Sequence, residues 1–366
     1  MKVSTFNLDF SRGHGIATTI ANILRKVHEQ RPDISLEVLC QQQNGLVEDG
    51  FPNDIPIHLL GQKKIAGKHF LGFLKDMLEY TPSEGEIMHT HYQPYSFGLI
   101  PKKGKRISTW YGNNFKCWDD PCFGPWRNRV RRVALMGSST HSQRFLDHIV
   151  TISDYLCNKL VKKYHIPGEM VTRIHLGVDV SQFQASDQDD GYMLFVGRHV
   201  GYKNIKMLID LSKAMDNYPL VCIGDGDEKE EFEDYARKME VPAIFTGKIP
   251  LAKLIIYYQK CSFYVTASKW EGFGLPLIEA GACGKPVIAP NHTGHKEIIR
   301  DWGNNNNPTG LLYNNFEEMG LSALALINSS RMREDLGKAA RQHVVEKFNL
   351  DRVAREYVEV YESLMD

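Results

Sequence analysis

Apolar residues recur along this chain in two forms: short runs closed by glycine or polar turns, and stretches with an apolar position every three to four residues. "KVSTFNL" near the start has the first form and reads as a strand, followed by the turn "SRGHG". "IATTIANILRKVHEQ" then has the second, with Ile16, Ile20, Ile23, Leu24 and Val27 on one helical face. "ISLEVLC", "EIMHTHY", "RISTWYG" and "DHIVTIS" continue as short strands, and "DYLCNKLVKKYH" reads as a helix opened by Ser153 or Asp154. Strands alternating with helices predict a parallel sheet covered on both faces.

After the polar segment "RIHLGVDVSQFQASDQDDG" the pattern restarts. "YMLFVGR", "PLVCIGDG", "AIFTGKI", "FYVTAS" and "KPVIAP" read as strands, with helices predicted over 227–239, 251–260 and 275–283. Two doubly wound α/β units with a cleft between them are therefore expected, with function at the carboxyl ends of their strands. The length of 366 residues agrees, because one hydrophobic core rarely serves more than about 250 to 300.

Charge adds an asymmetry. The formal net charge is zero, but residues 1–180 carry 23 Lys and Arg against 17 Asp and Glu (+6), and residues 181–366 carry 21 against 27 (−6). A basic first half suits an anionic partner, and chance surface composition accounts for it equally well. No nucleic-acid partner is expected. No apolar run approaches the roughly 18 residues of a membrane span, and the N-terminal stretch is too interrupted for a signal-peptide core, so a soluble cytoplasmic protein is expected. Seven scattered cysteines lack a C-x-x-C pair; "CWDDPC" (Cys117, Cys122) has no partners for zinc, and reduced thiols are the simplest account.

Candidate chemistry sits at three strand ends of the second unit. "LFVGRHVGYKN" places Arg198 and Lys203 just past a strand, "VCIGDGDE" ends another in a glycine turn, and "VTASKWEGFGLPLIEA" ends a third. An isolated cation at a strand end is ordinarily just solvated. Two of them beside a helix N-terminus would suit a diphosphate, which takes charge from the cations and hydrogen bonds from free N–H groups. Pro276 fits the first helical turn, leaving the amides of Phe273, Gly274 and Leu275 for an anion. Glu279, one turn in, leans back toward the same ligand and suits a ribose diol; Glu271, ahead of the turn, would face a sugar. The bland reading is a glutamate in a helix dipole plus an unrelated surface glutamate.

"EGFGLPLIEAGACGKPVIA" resembles the E-x7-E signature of the retaining glycosyltransferases of family GT4. "FVGRHVGYKN" is similar to that family's donor-binding segment and "TISDYLCNKLVKKYHIPGEMVTRIHLGVDVSQF" to its interdomain segment. The likeness spans most of residues 150–300 and is weaker in the first half. It implies the α/β GT-B fold: two Rossmann-like, doubly wound domains facing across a cleft. The first, residues 1–180, would bind the acceptor and the second, 181–345, the nucleotide sugar; a C-terminal helix in 346–366 would cross back to the first. By the same resemblance Arg198 and Lys203 hold the donor diphosphate, and Glu279 binds the ribose. Glu271, with the backbone of Gly272, Phe273 and Gly274, holds the sugar, and Leu275 belongs to the donor site. Gly13 and Gly15 approach the phosphates, and the base meets backbone near Gly224 and Lys248.

The implied activity is retaining, hexosyltransferase-type transfer by front-face displacement, without metal or cofactor. The donor would be a UDP- or GDP-linked sugar. The product would be a polysaccharide or glycoconjugate of the cell surface, built on a glycan or lipid-linked acceptor. A non-catalytic nucleotide-sugar sensor of the same fold is the alternative. Where the family carries T-x-H-G near the reacting centre, this sequence reads Thr109, Trp110, Tyr111, Gly112. Tyr111 in the histidine's place implies a donor sugar lacking the usual C6 hydroxyl or a different acceptor geometry. His89 and His91 are acceptor-side candidates or ordinary strand-end histidines.

Asp225-Gly226-Asp227 also fits a D-x-D metal motif, but it comes late in the chain, after a whole α/β unit. A dehydrogenase fares worse, since "GDGDEKE" lacks the third glycine of the dinucleotide fingerprint. The basic segments "PWRNRVRRVALM" and "PKKGKR" suit peripheral contact with an anionic membrane or a solvated face. The aromatic residues Trp110, Tyr111, Phe115, Trp118, Phe123 and Trp126 either stack on sugars or pack a long loop.

Overall fold

The structure is a computed structural model that describes residues 1–11, 15–44, 51–63, 69–91, 103–112, 145–303 and 307–366. It divides the chain into a first unit, Met1–Leu176 with Leu350–Asp366, and a second, Gly177–Asn349.

The first unit contains β1 (Lys2–Ser11), α1 (Gly15–Gln30), β2 (Ser35–Asn44), β3 (Ile57–Leu59), α2 (His69–Glu79) and β4 (Glu86–Thr90). It continues through β5 (Lys105–Trp110), β6 (His148–Thr151), α3 (Asp154–Tyr164) and β7 (Val171–Arg173). Among the described residues its seven strands form one sheet in the order β3-β2-β1-β4-β5-β6-β7, all parallel. Ser153 caps α3, its Oγ accepting from the Leu156 amide at 3.3 Å. At the amino end of the sheet Glu86 is fully buried. Burial alone would raise its carboxyl, but hydrogen bonds from Ser4, Tyr80 and Ser83 outweigh it and hold it at about 2.

The second unit runs β8 (Met193–Val196), α4 (Ile205–Ala214), β9 (Leu220–Ile223), α5 (Lys229–Lys238), β10 (Ala243–Gly247) and α6 (Leu251–Lys260). It continues with β11 (Phe263–Val265), α7 (Leu275–Ala282), β12 (Val287–Pro290), α8 (His295–Ile298), β13 (Gly310–Tyr313), α9 (Phe316–Asn328) and α10 (Ser330–Lys347). Its six described strands are parallel in the order β10-β9-β8-β11-β12-β13. The core is built from Met193, Phe195, Leu208, Leu211, Phe232, Phe263 and Val265, all buried. Helix α5 starts two residues later than the pattern predicts, because the Glu228 carboxylate turns to accept from the Gly201 amide at 2.6 Å.

The last helix, α11 (Leu350–Ser363), belongs to the first unit. Its apolar face of Val353, Ala354, Tyr357, Val358 and Tyr361 joins Ile20, Ile23, Leu24 and Val27 of α1 in one core, burying side chains that each contribute about 1.5–3 kcal/mol. Polar contacts flank this face: Gln30 donates to the Asp351 carbonyl at 3.0 Å, and Lys26 pairs with Asp351 at 3.2 Å. Among the described residues no helix is long and apolar enough to cross a membrane.

Candidate active site

In the second sheet the strand order reverses between β8 and β11. Loops leaving the carboxyl ends of two such strands diverge to opposite faces and leave a crevice, the usual ligand position of this architecture. Arg198 and Lys203 leave β8 there, and Glu271 to Leu275 leave β11. The two loops are sewn together: the Lys269 amide donates to the Tyr202 carbonyl at 2.8 Å, and the Lys203 ammonium forms an ion pair and hydrogen bond with the Glu271 carboxylate. Lys203 is only 9% exposed, with its ammonium 5.3 Å from the centre of the Tyr202 ring. Arg198 is exposed and has no side-chain partner among the described residues.

Helix α7 begins beside this pair. The amides of Gly274 and Leu275 precede the first intrahelical acceptor pattern, and Pro276 has no N–H to satisfy. Gly274 has φ of 126°, a backbone conformation that a side chain would strain. One turn on, Glu279 is half-buried and accepts a hydrogen bond from the Tyr258 hydroxyl at 2.6 Å. Burial pushes the Glu279 carboxyl up, and the Tyr258 bond pulls it back toward the charged form. One carboxylate oxygen is thereby fixed by α6, which orients the other.

The floor under Glu271 is the segment 291–295. The Glu271 amide lies 3.4 Å from Thr293 Oγ1, and the Gly294 amide 3.5 Å from the Glu271 carbonyl. Thr293 has φ of 50°, left-handed backbone that is costly for a β-branched residue and that clusters at functional sites. His295 is buried, with Nδ1 3.3 Å from the Pro290 carbonyl, and burial pushes it down to about 4. Its imidazole is neutral at pH 7.

On the β9 side, the glycine turn brings backbone against backbone. A Cβ on Gly224, whose φ is 131°, would lie 2.0 Å from the Gly197 carbonyl oxygen, so only glycine lets the turn pack on the loop that carries Arg198. Lys248 follows β10 and is exposed. Asp225 and Asp227, the acidic pair of the D-x-D reading, are both exposed, and Asp225 Oδ1 accepts from the amide of Gly226 at 2.9 Å.

In the first unit the order reverses between β1 and β4. Gly15 opens α1 and is exposed; Gly13 lies outside the described residues. His91 and Tyr111, at the ends of β4 and β5, are brought together by a hydrogen bond of 2.9 Å between His91 Nδ1 and the Tyr111 hydroxyl. His91 is 2% exposed, burial pushes it down to about 3, and its Nε2 has no partner among the described residues. Burial likewise holds the Tyr111 phenol well above its ordinary value. His89 differs from His91. Its Nδ1 meets the Tyr361 hydroxyl and its Nε2 meets Thr109 Oγ1, both at 2.8 Å, so it is a satisfied core histidine rather than an acceptor-side group.

The basic segments fare unevenly. Residues 126–136, with Cys117, Cys122, Phe115, Trp118 and Phe123, lie outside the described residues. Arg106 of "PKKGKR" is half-buried and paired with Asp147 at 3.1 Å. Trp110 is buried in the core. A cavity of about 410 Å3 opens at the amino ends of β11 and β12, lined by Lys285, Arg333, Lys338 and Arg341. There Arg341 donates to the carbonyls of Val180, Phe183 and Ala282, and Lys285 to that of Gln188; these cations strap the segment 180–188 onto the second unit.

Sequence reasoning missed Tyr258, Tyr264, Thr293 and His295. Tyr264, in the middle of β11, is buried with its hydroxyl 3.4 Å from the Val196 carbonyl; burial first, then Glu271 and Glu279, holds it neutral. None of these residues sits within a motif of fixed spacing; their roles come from contacts across the fold.

The fold and this arrangement define a class: a transferase of the GT-B fold. Residues 179–343 match the family model described as Glycosyl transferases group 1. The match runs over nearly the whole of the second unit, Gly177–Asn349, which therefore resembles a group 1 glycosyl transferase domain. Along its full length the chain is 28% identical to the glycosyltransferase MJ1178 of Methanocaldococcus jannaschii, over 100% of this chain and 99% of that one. Among solved structures it resembles Anabaena Alr3699/HepE in complex with UDP and glucose, with a TM-score of 0.78, 16% identity, and 99% and 100% of the two chains covered. The sucrose-phosphate synthase of Thermosynechococcus elongatus is similar at a TM-score of 0.81 and 17% identity, covering 100% and 99%.

Proposed function

We propose that the protein moves a sugar from a nucleoside-diphosphate sugar, UDP- or GDP-linked, to a hydroxyl of a glycan or lipid-linked acceptor, with retention of anomeric configuration and without a metal. The observation that carries this reading is the meeting of Lys203, Glu271 and the start of α7 at the reversal of the second sheet. Arg198, Lys203 and the amides of Gly274 and Leu275 would neutralise the negative charge that grows on the leaving diphosphate. Glu279, oriented by Tyr258, would accept from the ribose hydroxyls, and Glu271 with the backbone of Gly272 and Phe273 would receive the sugar. Gly224 and Lys248 would border the base, and Gly13 and Gly15 would meet the phosphates from the first unit.

Among the described residues of the β8 and β11 loops and the first turns of α7, Glu271 and Glu279 are the carboxylates, and both are assigned to ribose and sugar, which favours same-face attack, the acceptor proton passing to the leaving phosphate. Tyr111 and His91, neutral and hydrogen-bonded, suit a hydroxyl rather than a charged group and would serve the sugar or acceptor side. The likeness to a protein held with UDP and glucose makes UDP-sugars the first donors to try.

A thermal-shift panel of UDP-, GDP-, ADP- and dTDP-sugars, repeated in EDTA, tests the reading, since a ligand of the folded state raises the melting temperature. One donor class should stabilise the protein and be turned over in EDTA, with product of retained configuration by NMR. Strict dependence on manganese, or inverted product, would contradict it.

A further inference from the structure

Glu271 and the diphosphate of a bound nucleotide claim the same cation. Lys203 is nearly buried, and among the described residues Glu271 is its only ion-pair partner. The backbone of both loops is fixed beside the pair, through Lys269 to Tyr202 on one side and Thr293 and Gly294 to Glu271 on the other. Rotation of the Glu271 side chain frees Lys203 while these backbone contacts stay in place. A phosphate brought to the ammonium would also stand beside the Glu271 anion, and two anions at such a distance repel in a partly desolvated site.

We propose that Glu271 is a built-in competitor for Lys203, released only when a donor-sugar hydroxyl takes its carboxylate in exchange. This rests on the donor-site reading above and adds a selectivity to it. An intact nucleotide sugar supplies both a phosphate for Lys203 and a hydroxyl for Glu271. A bare nucleoside diphosphate supplies only the first, breaks the ion pair, and leaves a carboxylate facing it without compensation. The site thus discriminates against its own nucleotide product and speeds its departure, while the same carboxylate recognises the sugar. Glu271 acts on the nucleotide through Lys203, as a positioning residue, besides its contact with the sugar.

Calorimetric titration of UDP and GDP, and of the corresponding nucleotide sugars, into wild type, Glu271→Gln, Lys203→Met and the double variant tests this. Glu271→Gln should bind the bare diphosphate about 5- to 10-fold more tightly than wild type, the equivalent of one ordinary net hydrogen bond regained. It should bind the nucleotide sugar no better, so that the preference for the intact donor shrinks. Glu271→Ala should move in the same direction, which guards against a fault peculiar to the amide. In the Lys203→Met background the gain should largely vanish. Equal or weaker diphosphate binding by both Glu271 variants would overturn the competition. A gain undiminished without Lys203 would also overturn it, since the carboxylate would then act on the phosphate directly. Failure of wild type and all variants to bind any nucleoside diphosphate would defeat the donor-site reading itself.

Discussion

The two sheets of this molecule reverse their strand order in the same way but furnish the reversal with opposite chemistry. In the second unit it carries Arg198, Lys203, Glu271 and Glu279, charged side chains that are exposed or held by one partner each. In the first it carries His89, His91, Thr109 and Tyr111, neutral groups hydrogen-bonded to one another and to Tyr357 and Tyr361 of α11. One scaffold thus offers a charged crevice and a neutral one. The first suits a diphosphate; the second suits a sugar or an acceptor hydroxyl.

The sharpest way to break this contrast is to remove charge from the charged side. Lys203→Ala should lower sugar transfer by about 10²- to 10³-fold, the usual loss when one group that stabilises the leaving charge is removed. Steady-state kinetics with a donor found in the panel reads this, with circular dichroism to show that the fold survives. Near-normal turnover would move the chemistry elsewhere.

Acid should act on a buried neutral histidine in each unit, His91 in the first and His295 in the second. His91 titrates at about 3 and His295 at about 4 in the folded protein, against about 6.5 for a free imidazole. The unfolded chain therefore binds more protons between these values. The stability that each histidine contributes is fully present above pH 6.5 and is lost as pH falls toward 4 and 3, by about 1.4 kcal/mol per pH unit for each. Urea unfolding between pH 7 and 4.5 should show at least that slope, because burial also pushes down His89 and His343, and His91→Gln should flatten it by the share of one histidine.

Smaller effects separate the two sides more finely. Tyr258→Phe removes the hydroxyl that orients Glu279 and should weaken nucleotide binding by about 1–1.5 kcal/mol, roughly 5- to 10-fold. Because Tyr258 lies outside the proposed ligand contacts, such a change would report orientation of the carboxylate rather than loss of a direct bond. Tyr111→Phe should leave nucleoside-diphosphate affinity within about 2-fold of wild type while changing turnover, as expected of a group that meets a hydroxyl and not the phosphates.

Much of this could be read along the chain because it is local. The β-turn-α start, the helices at 251–260 and 275–283, the Ser153 cap and the strand-end positions of Arg198, Lys203 and Glu271 follow from periodicity and turn residues within about a dozen positions. The pairing of Lys203 with Glu271 spans 68 residues, and that of Tyr258 with Glu279 joins two helices. No periodicity encodes either contact; sheet order creates the first by setting β8 beside β11, and the second comes from the packing of the helices before and after β11. His89 and His91 look alike in "HTHY", and only the fold separates them, by giving one two partners and the other one.

The central claim is that the carboxyl ends of β8 and β11 hold the diphosphate of a nucleotide sugar. Isothermal titration of UDP and GDP into the wild-type protein and into an Arg198→Ala, Lys203→Ala double variant tests it most directly. One of the nucleotides should bind wild type and bind the double variant at least about 100-fold more weakly, since two charge-assisted contacts of about 1.5–3 kcal/mol each are lost. Equal affinity in the two proteins would contradict the claim.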